Sequence, residues 1–450
     1  MRGFLCAILF ILCSFISVRV DAEEHYGFID DTKITINGSE CKDLNDNSFY
    51  TVEKIKKGET IKLTSNTLFD KVYIIYSVYA QKGELIYDNN LVLIGQDGFL
   101  HEYVELNDKT NSVELTYKNN VSIEEIYVFK DDTPRWVQKW EKPLDDADML
   151  VFSAHNDDEQ LFFAGLVPKT LNDGKKVQMV FFTVHASRPI RMDEELDSIW
   201  AYGMKNYPYM GILPDAYSTS LRGALSNMKK AKLTEEDLIK YTVDTIRRFK
   251  PEVIVTHDIN GEYGHGQHRL TTSIVTKAIK LVNDADYESE YDVFSPSKVY
   301  IHLYKENPIV MDYDIPLDMY DGRTAFRVSM DAFKKHETQQ YLEWAKWQYL
   351  DSAKKVPKYN PCYYGLYYST VGYENEDNNM FYNILEPTIE KESSIAETDT
   401  DDEEKVEEVN FKIDNEISIV DTIVLIIIIC LLIIDISVIL IKKKNNGLHK

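Results

Sequence analysis

Between Glu23 and about Pro143, apolar and polar positions alternate in short runs. The segments TIKLT, KVYIIYSVYA, LIYDNNLVLI, HEYVEL, SVELTY and EEIYVF are rich in Val, Ile, Tyr and Thr, and turn pairs such as Asn-Gly, Lys-Gly and Asp-Gly divide them. β-Branched and aromatic residues suit a pleated, half-buried surface, so short strands at regular spacing predict a β-sandwich of about 120 residues. The pattern changes at Met149. MLVFSA, VQMVFFTV, EVIVTH and KVYIHLY are continuous apolar strands, and helical stretches are expected over Glu159–Leu171, Asp193–Lys205, Glu235–Phe249, His268–Val282 and Ser329–Tyr341. Buried strands alternating with helices predict a largely parallel sheet covered on both faces. Ligands of such sheets bind beyond the carboxyl ends of the strands. Trp136 and Trp140, in the linker DDTPRWVQKWEKPLDDAD, are expected to pack against the flanking regions.

The ends of the chain read differently. Met1-Arg2-Gly3 precedes an apolar run from Phe4 to Val18 and then Val20-Asp21-Ala22, the pattern of a secretory signal peptide over residues 1–22. Thr422 to Ile441 is almost wholly apolar, interrupted by Asp435, and close to the roughly 20 residues a membrane helix requires. Lys442-Lys443-Lys444 follow, so a helix over 418–441 is expected to leave a basic cytoplasmic tail at 442–450 and an extracellular or lumenal ectodomain. Residues 387–417 are acidic, poor in apolar side chains, and read as a disordered stalk. The ectodomain then divides into an all-β sandwich domain, 23–143, and a Rossmann-like α/β domain, 144–386. Only Cys41 and Cys362 lie in it, in different expected domains, which argues against a disulfide between them.

The balance of 74 acidic against 50 basic residues, a net charge of −24, excludes a general nucleic-acid surface. No protein partner can be inferred. The candidate chemistry is local. Ala154-His155-Asn156-Asp157-Asp158-Glu159 stands at the carboxyl end of the first α/β strand. One Asp there could cap a helix, but a His with two Asp and a Glu exceeds what capping requires. Thr256 to His268, THDINGEYGHGQH, follows the strand EVIV and places His265 and His268 on one helical face. A catalytic Zn²⁺ takes three nitrogen or oxygen ligands and leaves one position open. His155, Asp158 and His268 could supply them, with Asp157 beside the ion to take a proton and His265 to protonate a leaving amine or stabilise an oxyanion.

The AHNDDE and GHGQH segments resemble those of the LmbE-like or PIG-L-like de-N-acetylases, zinc hydrolases that remove acetyl groups from N-acetylglucosamine units. The likeness covers about residues 147–345. It implies His155, Asp158 and His268 as zinc ligands, Asp157 as general base, and His265 as general acid and electrostatic stabiliser. Tyr263 matches a position that helps polarise the substrate carbonyl. Arg191-x-x-Glu194 resembles a family segment whose Arg faces substrate, and HETQQ at 336–340 resembles one that brings His336 to the site rim. Asn156 stands where the family has Pro and could hydrogen-bond substrate or a neighbouring loop. The expectation is a cell-surface zinc-dependent deacetylase of an N-acetylated sugar or glycan. Hydrolysis of another N-acyl amide, or a carbohydrate-binding surface protein with a vestigial enzyme domain, are the alternatives.

Overall fold

The computed structural model of the protein describes residues 28–185 and 188–384. The β-rich region contains β1 (Lys33–Ile36), β2 (Ser39–Glu40), β3 (Glu53–Ile55), β4 (Thr60–Tyr76), β5 (Gly83–Tyr87), β6 (Asn90–Ile94), β7 (His101–Tyr117) and β8 (Val121–Phe129), all paired antiparallel. Segments that read as separate short strands are continuous in β4 and β7, each 17 residues long. The first part of β4 pairs with β1 and its last part with β8, and the β4–β7 register shifts between Thr64 and Lys71. Such irregularities bend and twist a strand. Hydrogen bonds thereby join all eight strands into one sheet, with Ile61, Leu63, Val72, Ile74 and Leu115 in its core.

The second region contains β9 (Met149–Ser153), α1 (Asp158–Leu161), α2 (Leu166–Asn172), β10 (Val177–Val184), α3 (Ile190–Ala201), β11 (Tyr209–Pro214), α4 (Leu221–Lys230), α5 (Glu235–Phe249), β12 (Val253–Thr256), α6 (Gly266–Ala278), β13 (Lys298–His302), β14 (Pro308–Val310), α7 (Ala325–Phe333) and β15 (Tyr363–Ser369). The sheet order is β11-β10-β9-β12-β13-β15-β14. The first five strands run parallel, and β15 and β14 close the edge antiparallel. Successive side chains of a strand face opposite ways, and the continuous apolar runs therefore feed two cores. Met149, Val151, Met179, Phe181, Val253 and Val255 lie on one face, and Leu150, Phe152, Val180, Phe182 and Ile254 on the other.

Two expected helices are interrupted. The stretch from Glu159 breaks at Gly165, whose φ of 91° suits glycine and where a Cβ would lie 2.4 Å from the Tyr313 ring. The stretch from Ser329 ends at Phe333 and continues as a 3-10 turn, Glu337–Gln339. The helix expected over Glu235–Phe249 forms over those residues, opened by a Thr234–Asp237 capping box and closed by Lys250 in the left-handed region.

The two regions share a buried seam. Trp136 packs on Tyr73, Tyr127 and Phe129, and Trp140 on Trp200 and Tyr207, as expected of the linker. Tyr73 donates to His101 Nδ1 (2.7 Å), which leaves His101 Nε2–H to donate to Asp193 Oδ1 (3.1 Å) at the start of α3. Cys41 and Cys362 are free thiols. The expected signal peptide, stalk, membrane helix and tail lie outside the described residues. Among the described residues, no helix is long and apolar enough to cross a membrane.

Candidate active site

The carboxyl ends of β9 and β12 deliver the two histidine-bearing segments to one place. β9 ends at Ser153, and the chain turns through His155 into α1. β12 ends at Thr256, and a loop with a 3-10 turn (Glu262–Gly264) leads into α6. Gly266 opens α6 where a Cβ would collide with Ser218 Oγ at 2.0 Å and Ser220 O at 2.5 Å, so only glycine lets the 218–220 loop approach.

His155, Asp158 and His268 converge. His155 Nδ1 is 3.0 Å from Asp158 Oδ2 and 3.1 Å from His268 Nε2, and His268 Nε2 is 3.3 Å from Asp158 Oδ2. The outer partners decide which atoms carry protons. Gln267 spends its amide N–H on the Pro214 carbonyl (2.9 Å), so its oxygen accepts from His155 Nε2–H (3.1 Å). His268 Nδ1–H donates to Glu262 Oε2 (2.6 Å). His155 Nδ1, His268 Nε2 and Asp158 Oδ2 thus present three lone pairs to one another, an arrangement that a shared proton or a metal ion neutralises. Four donors at about 2.0–2.1 Å around zinc stand about 3.3–3.4 Å apart in a tetrahedron, close to the spacing of these three. The set is two imidazoles and one carboxylate, a donor set suited to zinc. Without a metal the pocket attracts protons. Burial opposes charge on both rings, yet Asp158 and Glu262 push His268 up to about 10, and Asp158 raises His155. Asp158 itself, though buried, is held well below the usual carboxylate range by His268, His155 and His257.

His257 is a near neighbour with another job. Its Nε2 accepts from the Ala154 N–H (2.8 Å) and its Nδ1–H donates to Glu262 Oε2 (2.9 Å), so no lone pair is left for a metal. Glu262 is fully buried and also accepts from His302 Nδ1 (2.6 Å) and the Asp258 N–H (3.1 Å). The sequence reading gave Glu262 and His302 no role. The signal available was a carboxylate three residues before a His-x-x-His and a His closing the strand KVYIH.

Asp157 occupies the N-cap position of α1 but makes no capping hydrogen bond. Helix capping therefore does not account for it. Its Oδ2 lies 3.4 Å from Arg191 Nη2. His265 is the N-cap of α6, and its Nδ1 accepts from the Gln267 N–H (3.3 Å), which leaves the proton on Nε2. Burial, His155 and His268 lower it to about 2, so the ring is neutral and donates as imidazole. Tyr263 is held at φ 44° and ψ 21°, a strained conformation for a bulky residue. Its ring, partly exposed, stands 5.5 Å from Trp344 and 5.4 Å from His265. Trp344 continues to Tyr359 (5.6 Å), and Tyr217 covers His265 from another side (5.1 Å).

The other three candidates lie deeper. Arg191 is 5% exposed, and its Nη2 donates to the Asn156 carbonyl (2.9 Å) and to Asn156 Oδ1 (2.8 Å). Asn156 has no exposure, and its amide donates back to the Arg191 carbonyl. Its side chain is thus engaged with Arg191 in the first turn of α3. His336 is also fully buried, donating from Nε2 to Gln160 Oε1 (3.0 Å), and is not at a rim. The segment that carries it does meet the Arg191 segment, since Thr338 donates its N–H and hydroxyl to Glu194 (2.6 and 2.7 Å). The reason is register: the helix before His336 ends at Phe333, and the turn that follows points the imidazole inward. His185 and Asp215 (3.3 Å apart), neither singled out in the sequence, stand beside His155 at the ends of β10 and β11.

Residues 150–279 match a protein-family model described as PIG-L: GlcNAc-PI de-N-acetylase. Among curated proteins, a 1D-myo-inositol 2-acetamido-2-deoxy-alpha-D-glucopyranoside deacetylase of Catenulispora acidiphila is 25% identical over 175 residues, 34% of this chain and 54% of the relative. The corresponding deacetylase of Streptomyces avermitilis is 25% identical over 172 residues, 33% of this chain and 58% of the relative. The chain thus spans little more than half the length of these relatives. Among solved structures, N,N'-diacetylchitobiose deacetylase from Pyrococcus horikoshii is 18% identical with a TM-score of 0.34, over 55% of this chain and 90% of that one. Residues 150–279 of this chain are a PIG-L family domain, and its two histidine-bearing strand ends are the ones that converge.

Proposed function

We propose that the protein is a zinc-dependent amide hydrolase that removes acetyl groups from N-acetylglucosamine-type sugars in glycans or glycoconjugates. The convergence of three lone pairs from His155, Asp158 and His268 carries this reading, because two imidazoles and one carboxylate at this spacing match the donor set of a catalytic zinc. A zinc ion held there supplies Lewis acidity and makes water a nucleophile near neutral pH. Asp157, free of a capping bond and oriented beside Arg191, accepts the proton of the attacking water. His265 Nε2–H and the Tyr263 hydroxyl donate to the acetyl oxygen as it gains charge. The C–N bond breaks, the proton passes to the departing amine, and acetate and a free amino sugar result. Tyr263, Trp344, Tyr359 and Tyr217 supply aromatic faces on which a sugar ring can lie.

The same proposal takes in the wider organisation: a β-sandwich domain over 23–143, a Rossmann-like domain over 144–386, and display at a cell membrane through one C-terminal helix. The β-region's part in it is to brace α3, the helix that carries Arg191, through His101 and Asp193. The experiment is an acetate-release screen of the protein against chitooligosaccharides, peptidoglycan fragments and GlcNAc-inositol lipids. Acetate from one of these classes, abolished by a chelator and restored by zinc, is expected. Zinc-loaded protein that releases acetate from none of them rejects the sugar reading.

A further inference from the structure

Glu262 is the most heavily engaged carboxylate among the described residues. Oε2 accepts from His257 Nδ1 (2.9 Å) and His268 Nδ1 (2.6 Å), and Oε1 faces His302 Nδ1 (2.6 Å) and accepts from the Asp258 N–H (3.1 Å). The residue and all three histidines have no solvent exposure. A buried carboxylate is expensive unless every lone pair is used, and here both oxygens are used twice. The histidines come from three places: the end of β12, the first turn of α6, and the end of β13. His257 Nε2 also lies 3.4 Å from Asp158 Oδ2 but is occupied by the Ala154 N–H, so of the three only His268 offers a bare nitrogen to the candidate metal pocket. His302 is anchored in turn, its Nε2 3.0 Å from the Asn360 carbonyl.

From this geometry we infer that Glu262 is a positioning residue for the metal: it fixes His268 with Nε2 as the bare nitrogen and adds negative charge behind that ligand, with His257 and His302 holding the carboxylate in place. The inference rests on the zinc reading above and deepens it. A histidine that donates its far N–H to a carboxylate is locked in tautomer and orientation and becomes a more basic ligand. The turn Glu262–Gly264 serves two directions at once. Glu262 lies behind His268, while the ring of Tyr263, the next residue, stands 5.5 Å from the His268 ring.

The test is zinc affinity, measured by competition with a chromophoric chelator, for the wild-type protein, Glu262→Gln and His268→Ala. Gln keeps the volume and can still accept from His268 but removes the charge. Glu262→Gln is expected to weaken zinc binding to the folded protein about 10–100-fold, the usual effect of losing such a partner, even though turning an amide NH2 toward His302 and the Asp258 N–H also lowers the melting temperature. Zinc binding within twofold of wild type overturns the inference. If Glu262→Gln does not fold, His302→Asn replaces it as the probe, since it removes one clamp and leaves the carboxylate: weakened zinc binding supports the inference and unchanged binding overturns it. Failure of the zinc reading looks different. There the wild-type protein binds no zinc, or His268→Ala binds it as well as wild type.

Discussion

Among the described residues, two of the buried clusters of acidic and histidine side chains behave in opposite ways. At the ends of β9 and β12, Asp158 and Glu262 are surrounded by histidines and, despite burial, are held well below the usual carboxylate range. At the seam between β8 and α3, Glu124 and Asp193 face each other with one histidine nearby. Burial, and then Asp193, push Glu124 up to about 9, and burial raises Asp193. His101 is lowered to about 4 by burial and does not neutralise them. Both oxygens of Glu124 and one of Asp193 lack a hydrogen-bond donor. The first cluster has more donor lone pairs than protons and suits a metal cation. The second has too few donors and retains protons. Burial alone does not mark a site; the ratio of carboxylates to the groups that can neutralise them does.

The comparison is broken most severely at the metal pocket. His268→Ala should empty the site and abolish turnover, since two ligands do not hold zinc in an open tetrahedral site, and metal analysis with an activity assay checks both. Asp157→Asn should keep zinc and substrate affinity while turnover falls about 10²–10⁴-fold, the contribution of a general base. Loss of zinc from that variant would place Asp157 among the ligands. Trp344→Ala should raise KM about tenfold with little change in kcat, from loss of an aromatic face of roughly 1–1.5 kcal/mol. An unchanged KM for every sugar tested would remove Trp344 from the substrate wall.

The smallest effect concerns the seam. Glu124 binds a proton in the folded state up to about pH 9, whereas an ordinary carboxyl loses it near 4.5. The folded protein therefore holds more protons than the unfolded chain across that window, and stability falls as pH rises through it. Glu124→Gln should flatten the decline and raise the melting midpoint at pH 8 by a few degrees, while leaving pH 5 almost unchanged. A parallel pH profile for the two proteins would show that Glu124 is not the proton holder.

How much of this was legible in the chain differs by distance. His155, Asp157 and Asp158 are neighbours at the end of an apolar strand, and His265 and His268 share a helical turn, so local spacing was enough to propose them. The parallel core strands were legible because their apolar runs lack alternation. His302 could not be read, because its task depends on β13 lying beside β12, a fact of sheet order. His336 shows the same limit in reverse: its position resembles a pattern, but packing against Gln160 decides where the side chain goes. The long strands β4 and β7 hid behind polar stretches around Ser65-Asn66 and Asn107-Asp108, which fall where the β4–β7 register shifts but do not end either strand.

The central claim is that His155 Nδ1, His268 Nε2 and Asp158 Oδ2 together seat one zinc ion. Equilibrium dialysis against buffered zinc, followed by metal analysis of the wild-type protein and of Asp158→Ala, tests it most directly, because Asp158 Oδ2 stands within 3.3 Å of both histidine nitrogens. One zinc per wild-type chain and none in Asp158→Ala is the expected result. Full zinc occupancy in Asp158→Ala, or no zinc in the wild-type protein, would contradict the account.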